Sequence, residues 1–263
     1  MVNSQKRKYK IKKKRSLLKS RLFWSALLTI VGLTLTADLI LFSPFLQINE
    51  ISVSGNERIP ATEIQNSIWP EVEKSFPFGL KSRSILLADP PSIKTRLLEK
   101  FPLIDGLSVK RLLPKSLVVE IGERKTVSLW CWEINCFALD KNGVIFEAAS
   151  EGQAGLVIKS KQPKNEISIG KKVMEEKILE QILFIQQTMS QKAKIEAKEF
   201  TLFENDQRLN AKTNEGWEVF FDLKGDVNWP LVELELVLEK ELPQEKRGSL
   251  EYIDLRFNKV YYK

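Results

Sequence analysis

From Leu22 to Phe42 the chain reads LFWSALLTIVGLTLTADLILF, 21 residues that carry one charge, Asp38. As a helix this run spans ~32 Å, about the thickness of the hydrocarbon core of a bilayer. Trp24 stands at one end of it, where an aromatic anchor belongs. Directly upstream, residues 1–21 hold ten basic residues (Lys6, Arg7, Lys8, Lys10, Lys12, Lys13, Lys14, Arg15, Lys19 and Arg21) and no acid. The positive-inside rule therefore predicts a basic cytoplasmic tail over 1–21, a transmembrane helix over 22–43, and an extracytoplasmic location for everything that follows. The rival reading is a cleaved secretory signal, whose apolar region is normally ~7–15 residues long and ends at a small-residue cleavage site. This run is longer, and Leu35, Asp38 and Phe42 make a poor site. Asp38 falls ~25 Å from Arg21 along the helix, near the outer interface. It reads as an acid that snorkels to headgroup water, with a polar contact to a partner helix as the alternative.

The net charge of +7 is a property of the tail. Ten of the 41 basic residues lie in 1–21, and the rest of the chain sets 31 basic against 34 acidic residues, a net −3. A nucleic-acid-binding fold carries its basic face on the folded part, so this distribution argues against a nucleic-acid partner. It suits an anionic membrane surface, which attracts each nearby basic residue by ~1 kcal/mol. The 43% of hydrophobic residues suffices for folded cores.

The chain contains no histidine, which excludes Ser-His-Asp and Cys-His catalysis and every histidine-based metal site. Its twelve glycines are scattered and form no phosphate-binding loop. Asp89, Asp105, Asp140 and Asp254 each sit beside turn or strand signals and read as capping and turn residues. The sequence thus offers no catalytic residue, metal site or cofactor site and no feature for a small-molecule substrate. Cys131 and Cys136, in WCWEINCF, are the only cysteines. They fall on the extracytoplasmic side, where disulfides persist, and their spacing suits the two sides of a tight hairpin. Cross-strand Cβ atoms lie ~4.5–5.5 Å apart, against ~3.8 Å for a relaxed disulfide. A modestly strained bridge and two free packed thiols both remain open.

Beyond Ser43-Pro44 the pattern predicts an α+β fold. Ile48 to Ser54 reads as a strand. Pro60 opens a short helix bearing Ile64 and Ile68, and the stretch Trp69 to Leu87 is irregular. Asp89-Pro90 opens a second helix, with Ile93, Leu97, Leu98 and Phe101 on one face. Two strands follow, carrying Leu107 and Val109, then Leu117, Val119 and Ile121, with a turn at Leu113-Pro114-Lys115. Residues 44–124 therefore read as a β-α-α-β-β module with a three-stranded sheet.

Residues 125–263 read as a mainly β domain with two helices on its sheet. Short strands cover 127–132, 136–140, 144–147 and 156–158, with Asp140-Lys141-Asn142-Gly143 as a hairpin turn. A helix over 172–190 carries the apolar stripe Met174, Ile178, Ile182, Ile185 and Met189. Strands return at 198–202, 208–213 and 217–223. A second helix spans 229–241, and a last strand spans 250–257.

This order resembles the FtsQ/DivIB family of bacterial division proteins, and the β-α-α-β-β module resembles a POTRA domain. Arg111-Leu112-Leu113-Pro114, then Leu117, Val119 and Glu123-Arg124, matches the family's R-x-x-P-x-x-L-x-V-x-x-x-E-R run. Leu139-Asp140 with Gly143 and Phe146 matches its L-D-x-x-G-x-x-F hairpin. Tyr252-Ile253-Asp254-Leu255-Arg256-Phe257 matches its terminal Y-I-D-L-R-aromatic strand. Thr126 stands where the family often has proline, and six residues follow Phe257 where a longer tail is common.

The resemblance implies a non-enzymatic scaffold anchored in the cell membrane at the division septum. It implies binding to FtsB-like and FtsL-like division proteins and leaves other late division proteins open as partners. A membrane-anchored envelope enzyme and an envelope assembly factor are the competing classes. The first needs a cleft with convergent titrating groups, and the second needs several POTRA copies or a barrel segment. The expected partner-binding surface is the last strand, with Tyr252, Asp254, Arg256 and Phe257. Its outer edge is expected to be open, with Asp254 and Arg256 on a charged face and Ile253, Leu255 and Phe257 on the other. An open edge is a template for strand addition. The resemblance places bound FtsB at the aromatic after D-L-R, here Phe257. The opposing reading puts Phe257 in the core, with 259–263 capping the edge.

Overall fold

The computed structural model describes residues 21–150, 155–161 and 167–263. All but the last residue of the basic tail lies outside the described residues. The chain is α+β and divides into two compact units. One comprises 21–53, 62–93 and 109–119, and the other 54–61, 94–108 and 120–263, less the two short gaps.

Helix α1, Arg21–Phe42, is long and apolar enough to cross a membrane. A three-stranded sheet has the order β1-β5-β4, from β1 (Glu50–Ser54), β4 (Ile104–Leu112) and β5 (Ser116–Glu123). Along β5 the side chains of Leu117, Val119 and Ile121 are buried and Glu120 and Gly122 are exposed, the period-2 pattern of a sheet covered on one face. Helix α2 (Ala61–Val72) buries Ile64, Ile68 and Val72, one apolar side at four-residue spacing. Helix α3 (Pro90–Lys100) buries Ile93 and Leu97 in the same way.

The stretch expected to be irregular is more ordered than its sequence suggests. Helix α2 continues through Pro70, and Lys74–Ser75 (β2) pairs with Lys81–Ser82 (β3) in a small antiparallel hairpin. Two-residue strands leave no periodicity to read. The base of the hairpin is held by Glu73, whose carboxylate accepts from Lys81 at 2.7 Å and Arg83 at 2.6 Å. These two cations hold Glu73 below the usual carboxylate range.

The second unit is built on a nine-stranded sheet of order β14-β13-β12-β11-β10-β9-β6-β7-β8. Its strands are β6 (Ser128–Trp132), β7 (Asn135–Leu139), β8 (Ile145–Ala148), β9 (Val157–Ser160), β10 (Ala197–Phe203), β11 (Arg208–Thr213), β12 (Glu218–Asp222), β13 (Tyr252–Asp254) and β14 (Tyr261–Tyr262). Parallel neighbours cannot be joined by a hairpin and need a crossover. Helix α4 (Glu176–Thr188) supplies it between the parallel strands β9 and β10, and helix α5 (Asn228–Lys240) between β12 and β13. Both helices bury an apolar side, α4 through Leu179, Ile182 and Ile185 and α5 through Leu231, Leu234 and Leu238. These residues share one core with Trp130, Phe200, Trp217 and Phe221 from the sheet. Cys131 and Cys136 are cross-strand partners in the β6–β7 hairpin and are joined by a disulfide.

Candidate functional site

The two ends of the large sheet differ. At β8 the outer side is occupied: Ile145 N–H donates to the Lys171 carbonyl at 3.1 Å, and Gly170 N–H to the Ile145 carbonyl at 2.7 Å. At the other end, β14 is the terminal strand and no described strand lies beyond it. An edge left in this state presents unpaired backbone groups that another chain can use.

This corrects the expected edge. The strand expected over Tyr252 to Phe257 covers only Tyr252–Asp254, and its outer side is not open. Ile253 pairs with Tyr262 and Asp254 with Tyr261, so 261–262 form the true edge. The strand stops because Asp254 turns the chain: its carboxylate accepts the Arg256 backbone N–H at 3.1 Å and binds the Arg256 guanidinium through two bonds of 2.8 and 2.5 Å. The expected alternation fails for the same reason. Asp254 is buried along with Ile253 and Leu255, while Phe257 is 57% exposed and outside the core.

Around the turn, aromatic rings and a guanidinium are layered. The Tyr252 ring stacks on Phe220 at 5.3 Å between centroids. The Arg256 guanidinium lies 5.5 Å from the Phe220 ring and 5.4 Å from the Phe257 ring, within cation–π range of both. Phe257 meets Tyr261 edge to face at 5.9 Å. Tyr262 donates its hydroxyl to Glu241 at the end of α5, at 3.1 Å, which pushes its titration upward. Burial alone would raise the Asp254 carboxyl. The hydrogen bonds from Arg256, with the charges of Arg256 and Arg208, override that and hold it below its usual range.

Tyr252, Asp254, Arg256 and Phe257 are thus brought together, Asp254 as the internal brace and the other three as the layered surface. Phe220, Tyr261 and Tyr262 complete it. Phe220 falls in the strand expected over 217–223, and Tyr261 and Tyr262 fall in the segment that the opposing reading sets on the edge, although the Val260-Tyr261-Tyr262 triplet alone is too short to mark a strand. Cys131 and Cys136 sit in the β6–β7 hairpin, at the far end of the strand order from this edge.

A cleft of the second unit gathers Asp105, Glu123, Arg124, Lys125 and Asp140. Its acids are engaged in holding the fold. Both Glu123 oxygens accept backbone N–H groups of Glu57, Arg58 and Ile59 at 2.9–3.0 Å. Burial opposes its charge, and these bonds carry its titration below the usual range. Arg124 bridges Asp140, which is 2% exposed, and Asp105 at 3.3 Å. Asp140 also accepts the Asn142 and Val144 N–H groups at 2.9 and 2.8 Å, closing the turn. Gly143 in that turn has φ +77°, and a Cβ there would lie 2.1 Å from the Met174 carbonyl oxygen. The E-R and L-D-x-x-G motifs therefore have bonding roles in the second unit. Among the described residues no group of acids and cysteines is arranged to hold a metal ion.

Residues 46–124 match the family model of the POTRA domain, FtsQ-type. No curated protein matches the chain.

Proposed function

Since the chain is an FtsQ/DivIB-like, POTRA-containing protein, we propose that it is a non-enzymatic, single-pass membrane scaffold of the bacterial division machinery. Its N-terminus is cytoplasmic and its body is extracytoplasmic, at the division septum. It links division proteins by binding FtsB-like and FtsL-like partners at the open end of its large sheet. The observation that carries this reading is the β14 edge, beyond which no described strand lies, flanked by Tyr252, Arg256, Phe257 and Tyr261. Tyrosine and arginine are enriched among residues that dominate binding energy, and edge backbone groups supply the rest of a strand-addition interface. An edge with no such role is normally shortened, covered or charged. β14 is short, but the ring surface beside it is left uncovered.

The test is co-purification of FtsB-like and FtsL-like proteins with the full-length chain and with Phe257→Ala. Because Phe257 is mostly exposed, the melting temperature should change little. Partner affinity should fall by about tenfold or more if the ring is a binding centre. Undiminished binding by a folded variant would move the site away from this edge.

A further inference from the structure

We propose that the β2–β3 hairpin is a second membrane contact: its tip, Pro77-Phe78-Gly79-Leu80, inserts into the headgroup region of the leaflet in which α1 ends. The inference rests on the reading of α1 as a membrane span.

The hairpin is bonded to the end of α1. The last carbonyls of a helix lack intrahelical partners and need donors from elsewhere. Here Ser84 Oγ donates to the Ile40 carbonyl at 2.5 Å, Gln47 Nε2 to the Leu41 carbonyl at 2.8 Å, and Ser82 Oγ to the same Leu41 oxygen. Ser82 and Ser84 are buried, and the Phe42 ring packs on Phe76 at 6.0 Å. Wherever α1 leaves the hydrocarbon, these contacts hold the hairpin beside it. Phe78 follows Phe76 by two residues, a reach of at most ~7 Å. An interfacial element sits ~5–10 Å into the headgroup and acyl boundary, so the tip has only that depth to cross.

The tip is built for exposure of apolar groups. Phe78 is 99% exposed and Leu80 is 50% exposed. Phe78 also has φ +64°, in the left-handed region that a bulky side chain adopts only at a cost. A strained aromatic that gains no burial within its own chain is accounted for if it gains it elsewhere. The loop is closed by Phe76 N–H donating to the Leu80 carbonyl at 2.8 Å, so the tip is held in shape. Phe45, 69% exposed, follows α1 directly and adds a third apolar side chain to the same unit. At the base, Lys74, Lys81 and Arg83 outnumber Glu73, which leaves net positive charge facing anionic headgroups. Aromatic tip over basic base is the composition of an interfacial anchor.

The full-length chain, with its two native cysteines oxidised, is suited to single-cysteine labelling. Phe78→Cys, Gly32→Cys and Asp206→Cys variants would carry an NBD fluorophore in nanodiscs of phosphatidylethanolamine and phosphatidylglycerol. Gly32 is in α1 with open space around it, and Asp206 is an exposed turn residue of the second unit. Lipids bearing a nitroxide high on the acyl chain should quench position 78, those bearing it near the chain end should quench position 32, and neither should quench 206. Quenching at 32 without quenching at 78 would leave the membrane span standing and overturn the hairpin contact. No quenching at 32 would overturn the span and the proposal with it. Equal quenching at 78 and 206 would also overturn it, as would a label at 78 that is shielded only when an FtsB-like or FtsL-like protein is added, which would give the face to a protein.

Discussion

Asp254 shows how one side chain can set both the shape and the pH response of a sheet edge. It ends β13, braces Arg256, and so places the guanidinium between Phe220 and Phe257. Its carboxyl is held below its ordinary value in the fold. A group whose folded pKa is depressed stabilises the fold fully above its unfolded value, about 3.9 for Asp, and loses that contribution as pH falls through the folded value. The wild-type melting temperature should therefore drop between about pH 4 and pH 2 by more than that of Asp254→Asn, which has no such proton to take up. Thermal melts of both proteins across that range measure it. Equal slopes would mean that the Arg256 pair contributes nothing at this site. Partner binding should weaken in Asp254→Asn even at neutral pH, because the guanidinium loses the brace that sets its position.

At the level of elements, the edge strand carries a sharper test than any ring. Tyr252 N–H donates to the Lys263 carbonyl at 3.3 Å and Lys263 N–H to the Tyr252 carbonyl at 3.2 Å, a hydrogen-bonded pair. Antiparallel ladders alternate, so Tyr262 opposite Ile253 is the non-bonded position and its backbone N–H and C=O point away from the sheet. Tyr262→Pro thus removes an outward donor and spares the β13–β14 ladder, whereas Tyr262→Ala removes the ring and keeps the donor. If a partner adds as a strand, the proline variant should bind more weakly than the alanine variant by about tenfold, the scale of one or two lost backbone bonds. Titration of each against the FtsB-like partner decides it, and equal affinities would rule out strand addition.

This edge also marks where the sequence stops being legible. Helices α4 and α5 and strands β10 to β12 are readable because each repeats its apolar residues over several turns or alternations, as Ile178, Ile182 and Ile185 or Leu231, Leu234 and Leu238 do. Strands of two or three residues, β2, β3, β13 and β14, complete no such repeat. Their pairing is set by side-chain bonds that close the turns between them: β14 by the turn that Asp254 makes with Arg256, and the β2–β3 hairpin by Glu73 with Lys81 and Arg83. The motif residues Glu123, Arg124 and Gly143 were visible as letters. What they bond could be found only in three dimensions.

For the whole molecule, the charge split between tail and body predicts the orientation, and orientation decides which compartment the β14 edge can reach. Ten basic residues lie in 1–21, while the remainder is net −3, so only one end of α1 carries the excess of lysine and arginine that is retained in the cytoplasm. The acids of the body contribute little to this bias, because the rule follows basic residues near the ends of the span rather than net charge. The disulfide between Cys131 and Cys136 is consistent with an oxidising compartment for the body. A reporter active only outside the cytoplasm should therefore work when fused after Lys263 and fail when fused after Arg21. A second pair of fusions, in which the lysines and arginines of 6–15 are replaced by glutamine, should weaken this asymmetry, since it removes eight of the ten charges that set it. The reverse pattern in the native tail, with activity after Arg21 and none after Lys263, would put the β14 edge in the cytoplasm. It would then lie out of reach of any extracytoplasmic partner, and the strand-addition surface would fall with it, whereas the hairpin contact, tied to the end of α1, would move to the inner leaflet.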